Sequence, residues 1–229
     1  KGLALGLNAA GGNIGVSTVQ LLVPLVIGWS FLGAPHASGI DLRNAGLMWL
    51  PFIALSVFGA FRFMDNLTTA RSAAKDQLQI VRRKHTWIMS LLYIGTFGSF
   101  VGYSAAFPLL LKVQFPTSSL YLAFLGPLVG SIARPFGGHL ADRFGGARIT
   151  LWNFAAMAVL TLCTLHFVAV GSFAGFLMAF LALFVTTGVG NGSTFRMIPI
   201  IFRSQWLEGV DRRDSAATER ALASARREG

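Results

Sequence analysis

The sequence predicts an all-α membrane protein with six transmembrane helices. Hydrophobic residues make up 54% of the 229 residues and charged residues only 12%, about half the charged fraction of an average soluble domain. The apolar residues form six long stretches, and most lysines and arginines lie in alternate connections between those stretches. Together, these three features indicate that lipid surrounds most of the chain.

Each of the six stretches contains at most one charged residue, and their lengths are near the roughly 20 residues that a helix needs to cross a bilayer. Their bounds are 3–32, 45–61, 86–111, 120–141, 149–170 and 173–202. A backbone exposed to lipid has no water to bond, so each stretch must satisfy its amide and carbonyl groups internally, as a helix does. The alternation of polar and apolar residues typical of an outer-membrane barrel is not seen.

The net charge of +10 is distributed unevenly across the predicted membrane. When the connections are numbered alternately, fifteen lysines and arginines lie on one side and two, Arg43 and Lys112, on the other. Because cytoplasmic connections are enriched in these residues, we expect both ends of this multi-pass chain in the cytoplasm and the protein in the inner (plasma) membrane. This explanation fits the charge better than nucleic-acid binding, so the lipid bilayer is an expected partner and nucleic acid is not.

A long polar and basic segment, residues 65–85, divides the predicted helices into two and four. This division suggests the middle of a protein built from two halves. Residues 1–64 are expected to hold the last two helices of the N-terminal half, and 86–202 the first four of the C-terminal half. Residues 65–85 are then the central cytoplasmic linker, and 203–229 a cytoplasmic connection that is truncated.

The most specific motif joins the fourth and fifth predicted helices and includes Gly138, Asp142, Arg143, Gly145 and Arg148. Asp142 is able to accept hydrogen bonds from the start of the following helix and to pair with Arg143 or Arg148. The spacing resembles the loop signature of the major facilitator superfamily, where it implies a latch that opens and closes as two halves rock. An ordinary solvated turn is the alternative. The resemblance implies a twelve-helix fold, of which this chain supplies helices five to ten and is incomplete at both ends.

The first predicted helix contains Gly6-Leu-Asn-Ala-Ala-Gly-Gly12-Asn13-Ile-Gly15. This pattern resembles the glycine-rich nitrate signature of the NarK-type nitrate/nitrite porters, a family within the superfamily, and it makes Gly6, Gly12 and Gly15 signature glycines. Residues 87–100, 132–138 and 188–197 are similar to the same family. Two positions depart from its pattern: Ala10 replaces a usual glycine, and Arg196 stands where a neutral amide is common.

Arg134 lies inside the fourth predicted helix, where an ionised guanidinium costs on the order of 3 kcal/mol. None of the six predicted stretches contains an acidic residue that would neutralise it. Its planar fork suits a planar oxyanion such as nitrate or nitrite, and the resemblance implies that this arginine binds substrate. Two alternatives remain open, namely snorkelling to the nearer membrane face and a partner on helices outside this chain.

Three further residues are candidate substrate contacts. Tyr93 and Phe97 are four apart, hence on one face of a helix, and their rings would enclose a small planar anion to which the hydroxyl donates. Ordinary aromatic packing is the alternative, and the resemblance favours the pocket. Asn13 lies among glycines and would offer its amide N–H groups to substrate. Structural capping within the bundle is an equally good interpretation of this residue.

The resemblance implies transport of nitrate and/or nitrite by alternating access, with no enzymatic activity, no catalytic residues and no cofactor. Because no acidic residue lies in the predicted stretches to carry a proton, nitrate/nitrite antiport is favoured. Proton-coupled nitrate symport remains an alternative, as does a facilitator for another small anion or solute. No metal site is predicted, since Cys163 and the four histidines do not form a ligand set.

Overall fold

The computed structural model describes residues 2–28, 39–65, 80–207, 218–219 and 222, and its long regular elements are all helical. Two turns of tighter or wider helix interrupt the α-helices: a π-helical turn at Ile94–Gly98 and a 3₁₀ turn at Leu120–Phe124. The α-helices are α1 Gly2–Val26, α2 Asn44–Leu47, α3 Leu50–Phe63, α4 Lys84–Tyr93, α5 Ser99–Gln114, α6 Leu125–Phe144, α7 Gly146–Ala169 and α8 Phe173–Leu207.

These elements form six helical units that are long and apolar enough to cross a bilayer, which confirms the six predicted spans. The units are Gly6–Val26, Asn44–Phe63, Lys84–Gln114, Leu120–Phe144, Gly146–Ala169 and Phe173–Gln205. Helix α8 continues to Leu207, past the predicted end at 202. Of the predicted linker, residues 66–79 lie outside the described residues, as does most of the predicted connection 203–229.

Aromatic rings fill the core between α5 and α8. Phe107 is fully buried, and its ring centroid lies 4.8 Å from that of Phe180. Phe176 and Phe184, one turn before and after Phe180, are also fully buried. Rings spaced four apart share one face of α8, so this helix presents a continuous aromatic ridge to α5. Lipid offers little hydrophobic drive for helix association, so close packing of this kind is what holds the bundle together.

Glycines bring α6 and α8 into backbone contact. A Cβ atom added at Gly188 would collide with the carbonyl oxygen of Gly130 and lie 3.1 Å from Cβ of Ala133. One turn further along α8, a Cβ at Gly192 would collide with the carbonyl oxygen of Arg134. Only glycine permits this approach. The backbone of α8 is therefore fixed against α6 at the depth of Arg134.

Helix α1 packs along α6, although the predicted linker separates the two in sequence. Near one end of α1, Ser17 Oγ donates to the Phe124 carbonyl in the 3₁₀ turn before α6, at 2.9 Å, and Gln20 Nε2 donates to the Ser104 carbonyl of α5 at 2.7 Å. Near the other end, a Cβ on Gly6 would come 2.7 Å from Cα of Pro135. Helix α3, by contrast, buries none of its residues.

Candidate anion-binding site around Arg134

Arg134 lies near the middle of α6, 14 residues after Leu120, or about 20 Å along a helix axis that rises 1.5 Å per residue. The residue is only 3% exposed, so snorkelling to the surface does not describe its position. The single acidic residue within the six described spans is Asp142, eight residues further along. No described carboxylate therefore neutralises the guanidinium at its own depth.

The guanidinium of Arg134 is held by aromatic rings and leaves donors unused. Its Cζ lies 5.8 Å from the ring centroid of Phe97 and 5.9 Å from that of Phe195. Nη2 donates to Tyr93 Oη at 3.5 Å, which is at the outer limit of a hydrogen bond. Nε is buried and has no hydrogen-bond partner in the described part of the chain. A buried, charge-bearing donor without an acceptor is costly, so this arrangement favours binding of an anion.

Tyr93 and Phe97 meet at the junction of α4 with the π-helical turn. Their rings stack with centroids 5.2 Å apart and planes at 30°, so the structure places both on one face, as predicted from their spacing. The extra residue in each turn of π-helix shifts the side chains that follow, and such turns are common at functional sites. Within this turn Thr96 is fully buried, and its hydroxyl donates to the Leu92 carbonyl at 3.1 Å.

Phe195 on α8 belongs to a cluster with Arg134, Tyr93 and Phe97. The sequence assigned no role to Phe195. It lies within the 188–197 segment that resembles the porter family, but sequence spacing alone does not relate it to Arg134. Its position follows from the contact of Gly192 with the Arg134 carbonyl, because Phe195 is one turn further along the same helix. Arg134 is therefore flanked by one ring from the π-helical turn and one from α8.

The predicted residues of α1 do not all reach this cluster. Asn13 is half-buried, and no hydrogen bond of its side chain is seen among the described residues. Gly6 lies against Pro135 and the Arg134 carbonyl, so this signature glycine serves a helix contact beside the site. Gly12 and Gly15 face open space within the described chain. Ala10, which replaces a usual glycine, is buried at 3% exposure.

The predicted latch forms an ion pair with a helix that the sequence did not connect to it. Asp142, at the end of α6, pairs with Arg196 of α8, with Oδ1 2.5 Å from Nε. Arg196 is the position where the sequence departs from the family pattern. Arg143 and Arg148 are both exposed, and the Arg143 guanidinium lies 5.3 Å from the Phe144 ring centroid. The pair therefore joins α6 to α8, two helices on the same side of the predicted linker.

Two glycines of the motif have distinct structural roles. Gly145 separates α6 from α7 and has a φ of +91°, a backbone conformation that residues with a side chain rarely adopt. Gly138 is buried against α8, where a Cβ on Gly192 would lie 2.9 Å from its nitrogen.

Among the residues that the structure describes, no group of three or more potential ligands is placed to hold a metal.

A bundle of apolar spans, with a buried arginine between aromatic rings and an ion pair between the end of the same helix and α8, is the architecture of a multi-pass membrane protein. The comparison with known families identifies the family of this membrane protein. The pattern of the Major Facilitator Superfamily matches residues 1–206, and the chain belongs to that superfamily.

Relatives of the chain include proteins named as nitrate/nitrite transporters and antiporters. The nitrate/nitrite transporter NarU of Escherichia coli is 46% identical over 215 residues, which cover 89% of this chain and 46% of the relative. NarU of Salmonella typhimurium is 44% identical over 222 residues, covering 92% of this chain and 48% of the relative. The probable nitrate/nitrite antiporter NarK2 of Thermus thermophilus is 41% identical over 231 residues, covering 92% of this chain and 52% of the relative.

These similarities confirm the resemblance to the nitrate/nitrite porters that the motifs predicted. The chain spans about half the length of the curated relatives it matches.

Proposed function

We propose that this chain supplies the central helices of a transporter that carries nitrate and nitrite across a membrane by alternating access. The observation that supports this most strongly is Arg134, buried within a span, flanked by two rings and left with an unpaired Nε donor. Nitrate and nitrite are small planar anions, and the planar guanidinium presents donors in the plane that such anions need. The relatives that carry nitrate/nitrite names add independent support.

The aromatic surroundings support an anion as the substrate in preference to a sugar or another polar solute. Phe97 and Phe195 present ring surfaces to Arg134, and Tyr93 is the polar group whose hydroxyl lies beside its guanidinium. Rings exclude water from the guanidinium, and in a dry environment its attraction for an anion is stronger. A sugar would need several polar side chains at this depth, and the cluster described here has few.

The six spans correspond, in this proposal, to helices five to ten of a twelve-helix transporter. Residues 1–64 then end the first half, 65–85 form the linker, 86–202 begin the second half and 203–229 continue from it. The basic connections support an orientation with both ends of the chain in the cytoplasm, and the inner membrane is the proposed location. The remaining helices would complete the site opposite Arg134, together with Asn13 and the open face of α1 that carries Gly12 and Gly15.

Antiport of nitrate and nitrite is the coupling that the described residues support best. Among the described residues, no carboxylate lies beside Arg134 to carry a coupled proton. An empty site would hold an unscreened buried charge, which disfavours closure of the halves around it, whereas a bound anion screens that charge and permits closure. The transporter then needs a bound anion both when it moves substrate across the membrane and when it returns. Such a cycle exchanges one anion for another. Proton-coupled nitrate symport is the second candidate, with protons as coupling ions.

Counterflow in proteoliposomes separates these mechanisms. The complete transporter that contains this chain is reconstituted into vesicles loaded with nitrite, and entry of ¹⁵N-nitrate is followed with and without an imposed pH gradient. We expect rapid entry that requires internal nitrite and is insensitive to the gradient. Entry that strictly depends on the gradient would replace antiport with symport, and no entry under either condition would refute the proposed function.

A further inference from the structure

Asn191 of α8 is a second buried polar group without a partner, and it lies outside the residues already assigned to the site. The residue is 1% exposed. Its Oδ1 is buried and has no hydrogen-bond partner in the described part of the chain. Buried side-chain amides are nearly always hydrogen-bonded, because the loss of water is otherwise uncompensated. The side chain therefore requires a partner that the described helices do not provide.

The helical position of Asn191 directs it towards the site. Asn191 lies seven residues after Phe184 and four before Phe195, and at 3.6 residues per turn all three share one face of α8. The Phe184 ring meets the Phe100 ring of α5 edge to face, with centroids 6.0 Å apart. The Phe195 ring lies beside the Arg134 guanidinium. On this face, Asn191 therefore lies between the Phe184 ring, which packs in the aromatic core, and the Phe195 ring, which lies beside Arg134.

The neighbours of Asn191 along α8 fix its depth. A Cβ added at Gly190 would lie 2.8 Å from Cγ2 of Thr96, the residue just before Phe97 in the π-helical turn. On the other side, a Cβ at Gly192 would collide with the Arg134 carbonyl. The depth of Asn191 is thus that of Phe97 and Arg134. Two side chains at this depth, on facing helices, each carry a buried hydrogen-bonding atom that no described residue satisfies.

We propose that Asn191 is a substrate-contacting residue that helps the transporter to distinguish nitrate from nitrite, an inference that rests on the proposed function. Nitrate has three oxygen atoms in a plane, and the fork of Arg134 engages at most two of them. A half-turn of the Asn191 amide about its terminal bond exchanges Oδ1 with Nδ2, which brings an N–H donor to the position where an acceptor now lacks a partner. That donor would bind an oxygen of nitrate that nitrite lacks.

The test is equilibrium binding of nitrate and nitrite, each alone, to the purified complete transporter and to its Asn191→Leu variant. Leucine has a similar size but no donor. Loss of a hydrogen bond to an anion is expected to raise the Kd for nitrate about tenfold. The Kd for nitrite should change by less than about threefold, so the ratio of the two constants shifts. A role confined to helix packing would not move that ratio.

Thr187→Val is the matched control. Thr187 lies on α8 one turn before Asn191 and is fully buried, and its hydroxyl donates to the Phe184 carbonyl of its own helix at 2.8 Å. Because that hydroxyl is already satisfied, its removal should leave both dissociation constants unchanged. A change in selectivity equal to that of the Asn191 variant would contradict the assignment.

Two results would overturn the assignment of Asn191 as a substrate-contacting residue. An unchanged nitrate Kd in a correctly folded Asn191→Leu variant would overturn it, and so would equal weakening of both anions. If the leucine variant fails to fold, as judged by size-exclusion chromatography, Asn191→Ala, which also lacks a side-chain donor, is held to the same criteria. A parent protein that binds neither anion would instead refute the proposed function.

Discussion

At the scale of single residues, the central feature is a charge that the described chain buries without neutralising. Arg134 is 3% exposed, and among the described residues the one hydrogen bond of its guanidinium is the 3.5 Å contact with Tyr93. Rings at 5.8 and 5.9 Å stabilise the cation through their faces without occupying its in-plane donors. Arg134 is therefore stabilised enough to be buried and remains free to bind an anion.

The hydroxyl of Tyr93 should make a small and specific contribution to binding. We expect Tyr93→Phe to weaken nitrate binding by the equivalent of one hydrogen bond, about twofold to tenfold, because the ring that stacks on Phe97 is retained. Isothermal titration calorimetry on the complete transporter measures the change. Tyr103→Phe is the matched control, because Tyr103 packs against Phe180 and Phe184, away from Arg134. Equal losses in the two variants would contradict a direct role for Tyr93.

At the scale of helices, backbone contact between α6 and α8 positions the site. Gly188 meets Gly130, and Gly192 meets the Arg134 carbonyl, so the two helices cannot slide without separating. The same register places Phe195 beside Arg134 and sets the depth of Asn191. The Asp142–Arg196 pair, at the end of α6, ties the same two helices together. This pair lies within one half of the proposed transporter.

A methyl group at the α6–α8 crossing should disrupt this register. We expect Gly188→Ala to destabilise the protein by about 1–3 kcal/mol, because its Cβ would collide with the Gly130 carbonyl. The melting temperature in detergent measures this. Gly102→Ala is the control, since a Cβ there meets nothing within 4 Å and alanine favours helix. Equal melting temperatures for the two variants would exclude a close crossing.

The Asp142–Arg196 ion pair should appear as a coupling between two side chains. In a double-mutant cycle with Asp142→Asn and Arg196→Gln, we expect a coupling of about 1 kcal/mol, because both side chains are partly exposed to solvent. Thermal unfolding of the parent, both single variants and the double variant gives this value. Strictly additive losses would mean that the pair contributes nothing.

At the scale of the whole molecule, the sequence predicted the spans and the grouping of two side chains of the candidate site. Long uncharged stretches identify the helices, because a bilayer imposes their length. The i, i+4 spacing placed Tyr93 and Phe97 together, because both belong to one helical segment. The position of Arg134 inside a predicted span without an acidic residue, together with the family resemblance, made it a candidate substrate-binding residue.

Contacts between helices were beyond reach from the sequence. Phe195, Asn191 and the pairing of Arg196 all depend on the register of α8 against α6, which glycine contacts set and which no periodicity within one helix reveals. The π-helical turn was also missed, since its residues resemble any apolar helix. The predicted contacts of Arg134, Tyr93, Phe97 and Asn13 with substrate stay predictions.

The most direct test of the account is nitrate binding by the complete transporter and its Arg134→Lys variant, at constant ionic strength with chloride as the balancing anion. Lysine keeps the charge and loses the planar fork, so we predict that affinity falls about a hundredfold. The control is Arg203→Lys, an exposed arginine near the end of α8, which should bind as the parent does. Unchanged nitrate affinity in a folded Arg134→Lys variant would contradict the assignment of Arg134 as the anion-binding residue.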